Sequence, residues 1–241
     1  MRFRRRVRQN VYGVNHHPRK CAVSTFDRRS YHHGDLRDAL LRSALRLLDA
    51  DGVDALSLRA VARDAGVSAN APYRHYRDKE ALLAALASHG FTELTACLEA
   101  ASSAGTERGD AGSVRAASPP AALADAVAPM ARATVHYALE HPGLFRLMFG
   151  HVCVSLPEVI AASDAAQAVV TRRIAGFAAP GYRDTLKIGV WALVHGLTSL
   201  LLDGRLGEPT RETADALVDS AVRTMIGADW APVAADAGGD T

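Results

Sequence analysis

Cysteine is scarce in this chain. Cys21, Cys97 and Cys153 are the three in 241 residues. Odd in number, far apart and without a CxxC pair, they exclude an even disulfide framework and fit a reducing compartment. We read them as unbridged thiols, one in a tail and two in packing positions. Alternating runs of β-branched residues are also missing, while Ala and Leu dominate, which excludes a strand-built core and favours helices. No apolar run reaches the ~18–20 residues of a membrane span. The arginine-rich N-terminus lacks the apolar stretch of a secretory signal, so the expected location is cytoplasmic. There is no Gly-rich phosphate loop, no G-x-S-x-G elbow and no HExxH, so neither an enzyme nor a cofactor is expected. The pairs His16–His17 and His32–His33 are adjacent rather than i,i+4. His151-Val152-Cys153 has no partners at ligand spacing, and no metal site is expected.

Charge is present but unevenly placed. The net charge is only +2. Residues 1–27 hold seven Lys/Arg against one acid, residues 28–80 ten against eight, and residues 81–241 eleven against seventeen. A basic N-terminal part on an acidic remainder suggests a polyanion partner at one end only. Residues 1–29, with R-F-R-R-R-V-R, lack periodicity and read as a disordered basic arm.

Apolar periodicity then predicts an all-α chain. Residues 34–52 place Leu36, Leu40, Ala44, Leu47 and Leu48 on one face, with Gly34 or Asp35 to cap the helix and Gly52 to end it. Ser57 caps a two-turn helix with Leu58, Val61, Ala62 and Ala65 inward, stopped by Gly66. Val67 fits the corner. Ser68 is expected to cap a third helix from Ala69 to about Tyr76, with Pro72 as its fourth residue. That position costs less than an interior proline, because the carbonyl it crowds belongs to the cap. Asp78 caps a fourth helix running to about Ala100. Two short helices around a Gly-containing turn make a helix-turn-helix, whose second helix enters the DNA major groove. Tyr73, Arg74 and His75 then need little core, and Tyr76 is the ring expected to pack inward.

Residues 101–120 are small and charged without an apolar face and read as a flexible linker. Helices are expected from about Pro120 to Glu140 with a kink at Pro129, over 142–149, from Pro157 to Ala178, from Tyr182 to Asp203 and from Thr210 to Met225. Residues 228–241 read as a loose tail. The division is thus a head at 30–80 and a helical body at 81–227.

The stretch Y-H-H-G-D-L-R-D-A-L-L-R-S-A-L-R-L-L, then A-L-S-L-R-A-V-A-R-D-A-G-V-S, then P-Y-R-H-Y-R-D-K-E-A-L-L resembles the TetR/AcrR family of bacterial transcription regulators. V-W-A-L-V-H-G-L-T-S-L-L-L-D-G-R-L resembles the branch whose ligand domain is named for its Trp, His and Gly. The resemblance implies a homodimer with a DNA-reading head, a palindromic operator in double-stranded DNA, and a small-molecule effector whose binding releases DNA. Position by position it implies phosphate contacts from Tyr73, His75 and Lys79, and backbone contacts from Ser57 and Arg59. It places Ala69, Asn70 and Arg74 where the family reads bases. Pro72 departs from the apolar residue that many members carry there. By chemistry Arg74 can take a guanine bidentately, Asn70 an adenine, and Ala69 only a thymine methyl. A ligand-independent, nonspecific architectural DNA-binding protein, or an enzyme using the helical pocket, is the alternative.

Two further groups stand out in the body. Leu186, Val190, Leu193 and Leu197, with Gly189 and Gly196 seven apart, and Leu217, Ala221 and Met225 on the last helix, suit a four-helix interface between subunits. Trp191 and His195 share a face and, with His136, Tyr137, Phe145, Met148 and Phe149, are expected to line an apolar pocket for the effector. Each of these aromatic and Met residues also has an ordinary reading as core.

Overall fold

A computed structural model describes residues 35–107, 119–150, 156–178 and 180–227. Among these residues every regular element is helical: α1 (Asp35–Asp51), α2 (Leu58–Asp64), α3 (Lys79–Glu107), α4 (Pro119–Glu140), α5 (Pro142–Met148), α6 (Pro157–Ala175), α7 (Arg183–Leu202) and α8 (Arg211–Gly227). Short 3₁₀ turns cover Val53–Ala55, Pro72–Arg74 and Pro180–Tyr182. The basic arm, the segment 108–118, His151–Cys153, Cys21 and the tail 228–241 lie outside the described residues.

Local chemistry sets the boundaries. Ser57 Oγ accepts the Ala60 N–H at 3.1 Å and starts α2. Gly66, at φ 69°, turns the chain in the left-handed region as α2 ends, and Val67 N–H returns to the Ala62 carbonyl. Asp78 Oδ1 accepts the Ala81 N–H at 2.8 Å and caps α3. This bond, with the Arg77 guanidinium, holds the Asp78 carboxyl below its usual range.

Two expectations are corrected. Residues 101–107 continue α3 instead of starting a linker. Ala-rich sequence propagates an existing helix at little cost, and Ala101 packs on the core. The predicted helix 69–76 is only a turn at Ala69–Asn70 followed by the 3₁₀ turn at Pro72–Arg74. Pro72 supplies no N–H to Ser68, whose carbonyl instead accepts from Ala71 at 2.9 Å, and the chain tightens to i,i+3 bonding. Lys79–Ala104 and Pro180–Leu202 are long and apolar enough on average to cross a membrane, but charged and polar residues break each into shorter apolar runs. In the most apolar 18-residue window of the first, 56% of the residues are buried, against 22% in that of the second. α7 therefore carries apolar surface that its own subunit leaves open. α4 passes through Pro129 as one helix.

Two apolar clusters organise the packing. One runs from Leu40, Ala44 and Leu48 of α1 through Leu58 and Val61 of α2, along α3 to Leu98, and into α5 and α6. Head and body thus share a core. α5 sits hard against α1: a Cβ at Gly143 would lie 3.0 Å from the Leu48 carbonyl oxygen. The other cluster joins α4, α7 and α8 around Val127, Val135, Val194, Ala214 and Val218. Across α4 and α8, Arg132 pairs with Asp219, His136 with Asp215 at 2.6 Å, and Arg223 with Asp125 at 2.8 Å.

Candidate nucleic-acid interface and internal cavity

The head presents a compact polar surface built on two inward anchors. Pro72 is buried and Tyr76 is 2% exposed, so the residues between them, Tyr73, Arg74 and His75, all face outward. Ala69 and Asn70 are exposed in the preceding turn. Ser57 and Arg59 are exposed at the start of α2, and Lys79 at the start of α3. Lys79 Nζ also donates to the Val53 carbonyl at 2.9 Å, which ties α3 to the turn before α2. Arg46 bridges α1 and α2, donating to Ser43 Oγ at 2.9 Å and to Asp64 Oδ2 at 2.6 Å. That contact holds the Asp64 carboxyl below its usual range. All eight head residues singled out from the sequence therefore lie exposed on the helix-turn-helix.

The body holds a partly open apolar cavity of about 270 Å³. α3 contributes Phe91, Leu94 and Leu98, and α4 contributes Val127, Met130, Ala131 and Thr134. Phe145 and Phe149 line it as well. α6 adds Ser163, Ala166, Gln167 and Val170, and α7 adds Lys187, Ile188, Trp191, Val194 and His195 among others. The His195 ring lies 4.8 Å from that of Phe149, 5.9 Å from Phe145 and 6.3 Å from Trp191. Burial pushes its imidazole below the ordinary value.

Phe145, Phe149, Trp191 and His195 thus meet at the cavity, but His136, Tyr137 and Met148 do not line it. On a helix, positions i and i+2 are about 200° apart, so His136 turns away from the cavity-lining Thr134 and faces Asp215 and Arg211 of α8. Burial lowers the His136 imidazole, against the opposing pull of Asp215. Tyr137 enters the α3 core and donates to Glu93 Oε2 at 3.3 Å, its phenol pushed up by burial. Met148 is 1% exposed and packs over Gly90. The α3, α4 and α6 walls were missed because their Leu, Ala and Met residues carry no sign that distinguishes a cavity lining from a core.

The α7 and α8 stripe divides in a similar way. Val190 is 6% exposed and lines the cavity, so it is not surface. Leu186, Leu193, Leu197 and Leu217 are half-buried against the subunit's second cluster. Ala221 is half-buried, whereas Gly189, Gly196 and Met225 are exposed. Ile188, Ala192 and Leu200 are exposed as well. A Cβ added at Gly189 or Gly196 would meet nothing within 4 Å among the described residues.

Known proteins share this architecture. Residues 40–86 match the family described as bacterial regulatory proteins, tetR family, and residues 127–225 match the tetracyclin repressor-like C-terminal domain. A protein of unknown function from Rhodococcus sp. RHA1 is 36% identical, with a TM-score of 0.62 over 83% of this chain and 100% of that one. A bacterial regulatory protein in the tetR family from Rhodococcus RHA1 has a TM-score of 0.56 at 20% identity, over 79% of this chain and 96% of that one. The TetR family transcriptional regulator PfmR from Thermus thermophilus reaches 0.52 at 20% identity, over 79% and 95%. No curated protein sequence matches the chain. With a helix-turn-helix head of this geometry and a helical body, the chain belongs to the TetR family of DNA-binding transcriptional regulators.

Proposed function

We propose that the protein is a cytoplasmic homodimeric repressor that binds a palindromic operator and is released by a small apolar or amphipathic effector. The observation that carries this reading is the span of α3. Its first turn bears Lys79 beside the exposed Tyr73–His75 segment, and its middle bears Phe91, Leu94 and Leu98 on the cavity wall. α5 supplies a second connection, since Phe145 lines the cavity while Gly143 abuts Leu48 of α1. An effector that fits one arrangement of these helices better than the other shifts the population between them. Tilting α3 from Asp78 onward changes the separation of the two heads, and the half-sites no longer match it.

In this reading Arg74, Asn70 and Ala69 face base edges, while Ser57, Arg59, Tyr73, His75 and Lys79 hold phosphates. The outward strip of α7, from Ile188 through Gly189, Ala192 and Gly196 to Leu200, packs with Met225 of α8 against the partner's copy. The partner then covers the apolar surface that the single subunit leaves open. The test is recovery of genomic fragments bound by purified protein, followed by sequencing. Enrichment of one palindrome, reversed by members of a small-molecule panel, supports the proposal. Uniform recovery without a consensus rejects it in favour of nonspecific binding.

A further inference from the structure

The polar groups around the cavity are few, and they are not equivalent. Thr134 Oγ1 already donates to the Met130 carbonyl at 3.0 Å, and Gln167 Nε2 lies 3.4 Å from Ser163 Oγ. His195 Nδ1 is buried without a hydrogen-bond partner among the described residues, and burial favours the neutral ring. Among the described residues that line the cavity, Lys187 is the one with a full charge, and none of them is a carboxylate. Its side chain is 34% exposed, at the end of the α7 stripe that continues through Trp191 to His195. Its ion-pair partner is Asp184, 3.6 Å away with a side chain 92% exposed. So solvated a carboxylate contributes little to the pair and gives way to a better-desolvated anion. Arg183, one turn before Lys187 on α7, is bound to the carbonyls of Ala175 and Ala178 at the end of α6.

Taking the cavity as the effector site, as proposed above, we propose that its ligand is a small apolar acid whose anionic head pairs with Lys187 and whose body runs along Trp191 to Phe145 and Phe149. Lys187 and His195 are eight residues apart, about 12 Å along the helix, which sets the reach of the ligand. A cationic ligand meets like charge at Lys187 with no carboxylate among the described lining residues to offset it. An uncharged one of the same shape forgoes the charge-assisted bond.

Calorimetry on the full chain tests this with two matched sets. One is octanoate, octanol and octylammonium; the other is 3-phenylpropanoate, 3-phenylpropanol and 3-phenylpropylammonium. In at least one set the acid is expected to bind about tenfold or more tighter than the alcohol, with the amine weakest. Lys187→Met should abolish the preference for the acid, and Lys187→Arg should retain it. Both substitutions are at a part-exposed position and spare the core. Alcohols binding as tightly as acids, or an acid preference that survives Lys187→Met, overturns the ligand class while leaving the cavity as effector site. If no member of either set binds, the effector reading of the cavity falls with it.

Discussion

Lys79→Met separates two roles of one ammonium. Nζ donates to the Val53 carbonyl at 2.9 Å, yet the side chain is exposed and has hydrogens left for a phosphate. If each copy makes one phosphate contact, a two-headed complex loses two. The slope of log K against log salt should then fall by about 1.8. Referred to 1 M salt, binding weakens about 60-fold at 0.1 M and about 18-fold at 0.2 M. Losing the tether to Val53 has a different signature. It costs folding stability of about 0.5–1.5 kcal/mol, with little dependence on salt. Fluorescence anisotropy of a labelled operator duplex, across roughly 50–300 mM KCl, distinguishes the two. A parallel melting curve reports the tether. A wild-type salt slope in the variant, with binding weakened equally at all salts or not at all, refutes the phosphate contact.

Arg74→Ala should cost about 1–3 kcal/mol of operator affinity and relax the preference at one base position per half-site, as read by selection of bound sequences. Uniform weakening without loss of preference would make Arg74 a phosphate contact. Gly196→Arg places its side chain where the described residues of the subunit offer no obstacle. It should yield helical monomers in sedimentation and abolish two-headed DNA binding; an intact dimer contradicts the α7 interface. Burial holds His195 below its ordinary 6.5, so the folded chain takes up fewer protons than the unfolded chain as pH falls through that value. Stability present above pH 6.5 is therefore lost below it. His195→Phe should flatten part of the fall in Tm, and an unchanged pH profile contradicts that assignment.

How far the sequence could be read follows from which forces its pattern encodes. The α1 stripe Leu40, Ala44 and Leu48 is fully apolar and fully buried, so periodicity alone locates it. The caps at Ser57 and Asp78 and the left-handed turn at Gly66 are local chemistry and equally plain. Tyr76 was also legible as the inward ring. The segment at Pro72 was not, because a proline near a helix start fits both a first α turn and a 3₁₀ turn, and the bonds of Ala71 and Arg74 select the tighter one. The cavity was half legible. Phe145, Phe149, Trp191 and His195 stand out by type, but the phase of α4 cannot be set without its neighbours. It puts Thr134 inside and turns His136 to Asp215. Likewise α7 is apolar on more than one face, and only packing shows that Val190 lies inside while Gly196 lies outside.

The central claim is that two copies of the Ala69–His75 surface read one face of a duplex together. Hydroxyl-radical footprinting on the selected operator measures this directly. Two dyad-related protected patches are expected, with centres about 10 base pairs, or a multiple of one helical turn, apart. A single protected patch, or even protection along the whole duplex, would contradict the account.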